Sequence, residues 1–304
     1  MAGRHLADTP VATRRWRPTW LTVAIILIAV TGLTVLTYPA AAQWLSSYNQ
    51  SGILRDYEAI VDNAEPGAAE QLQLAHEYNA ALTSGVELEA NANVPTGSGS
   101  LADGTLEYDQ ILRADDSGLM ARIKIDKIDV DMPIYHGTSD DTLMEGAGHL
   151  EGSSLPVGGT GTHSVITAHR GLANATMFSN LDQVGVGDTF TIEVFGEVLT
   201  YRVIETKVVE PEDTDSLRAV ADNDLVTLVT CTPLGINTHR ILVTGERVTP
   251  TPIADLEAAG ANPDIPGFPW WAVLYAGGLA VAGIALWRMG LADARAAAKR
   301  AKQE

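Results

Sequence analysis

Cys231 is the only cysteine in 304 residues. A lone thiol cannot form an intrachain disulfide, so its value lies in reactivity or in packing. A cysteine nucleophile works as the thiolate and needs a base or an imidazolium nearby, and acyl transfer also needs donors for the oxyanion. Three strings supply such groups: Thr167-Ala168-His169-Arg170-Gly171, Thr227-Leu228-Val229-Thr230-Cys231, and Thr238-His239-Arg240. With ordinary pKa values, thiolate and imidazolium would coexist at pH 7 in only about 1% of molecules. Either the surroundings raise that fraction or the chemistry runs slowly with it.

The residues before the cysteine, Leu225 to Thr230, form a β-type run. Alternation puts Leu225, Thr227, Val229 and Cys231 on one face and Val226, Leu228 and Thr230 on the other. Thr232 to Thr238, containing Pro233 and Gly235, make a loop into a further strand. A strand returning antiparallel beside Cys231 brings either His239 or Arg240 over the thiol. It cannot bring both, because adjacent strand residues face opposite ways.

Seven short β-rich runs lie in one segment of roughly 130 residues, enough for a single core: 121–125, 130–134, 163–167, 190–195, 199–209, 225–230 and 239–248. With Gly, Pro and Asp between them, they predict a mainly β domain of about eight strands over 119–250, a barrel or a sandwich. Ahead of it, apolar residues recur at helical spacing from Gln43 to Leu82, broken at Pro66-Gly67, and predict a two-helix stem over 39–88. The stretch 89–118 begins with a run of Asn, Gly, Ser and Ala and reads as a flexible surface loop.

Two apolar segments, 20–38 and 270–287, are long enough to cross a bilayer. Arg4, Arg14, Arg15 and Arg17 precede the first, and Arg288, Arg295, Lys299, Arg300 and Lys302 follow the second. The positive-inside rule therefore puts 1–19 and the basic tail 288–304 in the cytoplasm, the tail reading as a short helix over 292–304. Ala40-Ala41-Ala42 resembles a signal-peptidase site, but the apolar stretch is long for a signal peptide, so an uncleaved anchor is expected. Segment 251–269 links the β domain to the second span. Of 38 acids and 20 bases, three acids and nine bases lie in the two ends, which leaves 35 acids against 11 bases between them. Such a surface excludes nucleic acid as a partner. The acidic excess reads most simply as a solvated surface, with attraction of a cationic partner by acids around the loop 205–224 as the alternative.

TLVTC, with an arginine nine positions after its cysteine and a histidine upstream in AHRG, resembles the sortase family. The strings PIYHGT (133–138), GHLEGSSLPVGG (148–159), THSVITAHRG (162–171) and CTPLGINTHR (231–240) are similar to class C, the pilus-assembling sortases. Tyr38-Pro39 and the double anchor fit the same class. The likeness is close over 119–248 and loose over the stem.

The resemblance implies a closed eight-stranded sortase-type β-barrel carried by the helical stem and two transmembrane helices. It implies a membrane-bound cysteine transpeptidase that cuts an LPXTG-like sorting signal between Thr and Gly. Such an enzyme holds the pilin or surface protein as a thioester and passes it to a pilin lysine amine. By the same carry-over, Cys231 is the nucleophile, His169 the general acid/base and Arg240 the oxyanion or substrate stabiliser, with His239 facing away. Arginine suits that role because its guanidinium stays charged and presents a fixed fork of donors. Two other readings stand beside it: a housekeeping sortase whose acceptor is a cell-wall precursor amine, and a membrane-tethered scaffold with a buried, inert Cys231.

His76, His136, His149 and His163 read as surface or hydrogen-bonded core residues. No pair has metal-ligand spacing, so neither metal nor cofactor is expected. Class C sortases commonly carry a lid with an Asp-Pro-aromatic motif ahead of the barrel. Here 90–108 holds no Asp-Pro pair, and Asp103 is the nearest acidic candidate, which predicts a weak, atypical or absent lid.

Overall fold

The computed structural model describes residues 16–83, 86–87, 96–97, 100–101, 107–173, 175–300 and 303. It divides into two compact units, the chain ends up to Ala42 and from Gly267 onward, and Gln43–Pro266. Helix α1 (Trp20–Asp62) carries straight through Pro39, so the first apolar span and the first stem helix are one element. After a break at Pro66-Gly67 comes α2 (Ala68–Ala81).

In the second unit, eight strands close into a barrel: β1 (Leu119–Ile125), β2 (Val130–His136), β3 (Ala147–His149), β4 (Thr162–Thr167), β5 (Thr189–Val194), β6 (Glu197–Val209), β7 (Asp224–Thr232) and β8 (His239–Arg247). Their order around the barrel is β6-β8-β7-β4-β3-β2-β1-β5, with β5 closing on β6. Only β7 with β4 and β2 with β3 run parallel. Seven of these strands match the β-rich runs. The eighth, β3, is three residues long, too short for any periodicity to show. A short helix, α3 (Asp140–Glu145), leads from β2 into β3, and its cap Ser139 accepts the Thr142 amide at 3.1 Å. After β8 come α4 (Ile253–Glu257) and α5 (Trp270–Arg300).

The stem is locked to the barrel by buried polar bonds as well as apolar contact. Tyr57 of α1 donates to the Met120 carbonyl at 3.2 Å and accepts the Phe195 amide at 3.2 Å. On α2, Gln71 accepts the Leu112 amide at 2.7 Å, and Asn79 bonds both the amide and the carbonyl of Leu155. A buried polar group needs such partners, since leaving one unmade costs about 1–3 kcal/mol.

Within the stretch read as a loop, Thr96–Gly97 and Ser100–Leu101 are strands, paired antiparallel with Val86–Glu87 and Leu82–Thr83. Backbone pairing needs no apolar period, which is why composition alone read this segment as loop. Its C-terminal part is packed: Tyr108, Ile111 and Leu112 are buried against the barrel. Asp103 lies outside the described residues.

In the other unit, α1 and α5 are both long and apolar enough to cross a membrane. They touch through Thr34 and Tyr275, whose hydroxyls are 3.1 Å apart, and through Asp293, which accepts from the Thr22 hydroxyl at 2.7 Å and the Thr19 amide at 2.9 Å.

Candidate active site

Cys231 lies near the end of β7, where the ladder sets it directly opposite Arg240 of β8 and sets Thr232 opposite His239. Directly opposed residues of an antiparallel pair share a face, so Arg240 shares the thiol's face and His239 the other. The alternative left open by sequence spacing is thereby decided for arginine. The parallel ladder of β4 with β7 ends at Thr167 opposite Val229. Cys231 lies two residues further along β7, and His169 two residues past the end of β4.

The thiol's face is the outside of the barrel. Ile166, Val226, Leu228, Ile241 and Val243 point into the main core, while Val165, Val229 and Leu242 join Leu150, Val209 and Leu217 in a separate outer cluster. Leu217 comes from the β6–β7 connection, which His163 holds down through a 3.0 Å contact between Nδ1 and the Arg218 carbonyl. Below the thiol on the same face, His163 Nε2, Thr227 and Thr244 form a buried chain with steps of 2.7 and 2.8 Å.

Arg240 is fully buried, and its Nη1 donates to the carbonyls of Asn237 at 2.9 Å and His239 at 3.1 Å. Asn237 has φ 58°, a left-handed conformation that asparagine tolerates better than most residues. That turn folds the loop carbonyl back onto the guanidinium. On the histidine side, Gly171 has φ 75°, and a Cβ there would run into the Leu234 side chain. Glycine thus allows the loops following His169 and Cys231 to pack together.

Burial pushes the Cys231 thiol above its ordinary range, and the Arg240 charge pulls it partly back. Burial also lowers the His169 imidazole, against which the Asp140 carboxylate at the start of α3 acts. Taken singly, both burial effects act against the charged forms of the thiol and the imidazole.

Sequence reading passed over Asp140 because nothing in its spacing links it to His169; the link arises when α3 folds beside β3. Of the other described histidines, His136, His149 and His163 are bonded within the fold. His149 is fully buried, with Nδ1 2.9 Å from the Tyr108 hydroxyl and Nε2 2.8 Å from the Ser154 carbonyl, and burial drives its pKa down to about 3. His136 bonds the carbonyls of Gly118 and Ile111, and His76 is exposed. Among the described residues no group of His, Cys, Asp and Glu could hold a metal ion.

In this closed barrel the β7–β8 ladder sets the cysteine directly against an arginine. The sortase-domain family model matches residues 123–248, which span the barrel almost entirely. Sortase C-1 of Actinomyces oris is 48% identical, the match covering 60% of this chain and 98% of that one with a TM-score of 0.53. The chain belongs to the sortase family, whose members are cysteine transpeptidases. It is also similar to Sortase C of Streptococcus pneumoniae, a structure described as informing catalysis and pilin substrate specificity: 38% identity, 65% of this chain, 96% of that one, TM-score 0.56. Sortase D of Bacillus subtilis is 29% identical over 130 residues, 42% of this chain, and the chain spans 63% of that protein's length.

Proposed function

We propose that the protein is a membrane-anchored sortase of the pilus-assembling kind. The Cys231 thiolate attacks the threonine carbonyl of an LPXTG-like sorting signal, and Arg240 stabilises the oxyanion that forms. His169, as imidazolium, protonates the departing glycine amine, which leaves a thioester on Cys231. A lysine amine of another pilin, giving its proton to His169, then attacks the thioester. An amide bond to the side chain forms, the C–S bond breaks and the thiolate is restored beside the reprotonated His169. The observation that carries this reading is the cross-strand pairing of Cys231 with Arg240, beside the strand that leads to His169.

The basic flanks of the two spans favour both termini in the cytoplasm and the barrel outside. The acidic surface there suits an amine-bearing acceptor better than an anionic one. Segment 89–118, just ahead of the barrel, is the place where a lid would be carried.

Incubating the full chain in detergent or vesicles with a pilin ending in an LPXTG-like signal tests the reading. Covalent pilin multimers are expected from the wild type and none from Cys231→Ala. Multimers from the alanine variant overturn the cysteine assignment. Transfer to a cell-wall precursor amine but never to a pilin lysine makes this a housekeeping sortase instead.

A further inference from the structure

The backbone that should hold His169 against Cys231 stops short of both. The β4–β7 ladder ends at Thr167 and Val229, followed by one more bond, from the Ala168 amide to the Val229 carbonyl at 3.2 Å. Beyond it, β7 continues to Thr232 while the other chain leaves the sheet at His169. A histidine at the start of a departing loop keeps its place only if something else ties that loop to the strand.

Two side chains do so. The Thr230 hydroxyl donates to the Ala168 carbonyl at 2.7 Å. Arg170, the residue after His169, reaches across and donates from Nη1 to the hydroxyl of Thr232, the residue after Cys231, at 2.8 Å. The rest of its guanidinium is fixed from behind. Nε donates to the Ser179 carbonyl at 3.1 Å, and Nη2 pairs with the Asp182 carboxylate at 2.9 Å. Only 9% of the Arg170 side chain is exposed. Three acceptors in three directions hold a rigid planar fork, a match that the flexible ammonium of lysine cannot reproduce.

We propose that Arg170 is a positioning residue that sets the separation of His169 and Cys231 by bonding Thr232 where the β4–β7 ladder has run out. It acts through the backbone at each neighbour, which makes Thr232 its point of action on β7, with Ser179 and Asp182 as its mounting. The proposal rests on the roles given above to His169 and Cys231.

Thr232→Val separates this role from a merely structural one, because it deletes the bond to β7 and leaves the contacts to Ser179 and Asp182 in place. With an LPXTG peptide, kcat is expected to fall about tenfold while KM stays within about twofold, the size of effect that a small misplacement of reacting groups produces. The pH profile of Cys231 alkylation by iodoacetamide should move in the same variant. Thr232→Ser, which keeps the hydroxyl, should restore both, and Arg170→Lys should lower kcat at least as far as Thr232→Val, with a thermal midpoint within a few degrees of wild type.

Wild-type kcat and alkylation profile in Thr232→Val overturn the proposal. So does an equal defect in Thr232→Ser. Cys231→Ala is the control that separates the two layers. If the wild type turns over, the alanine variant does not and Thr232→Val behaves as wild type, the positioning role alone fails. If Cys231→Ala turns over as the wild type does, the catalytic reading and the positioning role fall together.

Discussion

The inner and outer faces of β4, β7 and β8 are both buried, yet they answer to different demands. Inside, Ile166, Val226, Leu228, Ile241 and Val243 belong to the continuous core that also takes in the stem through Tyr57 and Tyr78. Outside, Val165, Val229 and Leu242 make a small separate floor closed by Leu217 from a connecting loop. A strand buried on one face alternates in sequence, whereas one covered on both reads as a continuous apolar run. HSVIT, LVTLVTC and RILVT are such runs, and they are the strands that carry or lead to His169, Cys231 and Arg240. By contrast, β6 from Ile204 to Val208 is exposed. Double-sided burial is shared by β1 and β3, so what sets the Cys231–Arg240 sector apart is the separate outer cluster beside it.

The largest departure from a purely structural reading of the outer face should come from Arg240→Lys. The charge stays but the fork is lost, and kcat/KM for an LPXTG peptide should drop about 100-fold, as for loss of an oxyanion donor. A circular-dichroism melt should show the fold retained.

The two faces separate directly in a pair of truncations. Ile123→Ala, in the inner core, should cost about 2–5 kcal/mol in denaturant unfolding, with activity per folded molecule unchanged. Leu217→Ala, on the outer floor, should cost less stability and raise KM several-fold. The reverse pattern would break the distinction between the faces.

A pH titration of stability sharpens it further. Burial holds His149 neutral in the folded barrel, while the unfolded chain binds a proton below about pH 6.5. Its folded pKa is depressed, so the stability it contributes is present above that pH and is lost as the pH falls toward about 3. Unfolding free energy should fall by about 1.4 kcal/mol per pH unit from this residue alone. His149→Gln should flatten the slope by about one proton.

Asp140→Asn should have the smallest effect. Without the carboxylate the His169 pKa drops further, and kcat/KM near neutral pH should fall only about two- to threefold, because an exposed charge is screened. At high salt the difference should shrink.

Much of this was legible in the chain. Strand alternation placed Cys231 on a defined face, and the TLVTC and AHRG strings pointed to the pair. Spacing could not choose between His239 and Arg240, because a one-residue change of register exchanges them; the observed ladder makes the choice. Three features stayed hidden for physical reasons. Strand β3 is too short to show a period, the 82–101 pairing is made by backbone groups, and the Arg170 bonds and the Asp140 charge act on residues that only the fold brings near.

The central claim is that Cys231 carries the acyl group. Intact-protein mass spectrometry after brief acid quenching with an LPXTG peptide tests it most directly. The account predicts a hydroxylamine-sensitive adduct of the mass of the peptide up to threonine, mapped to Cys231 and absent from Cys231→Ala. Turnover in the alanine variant, or an adduct on any other residue, would contradict it.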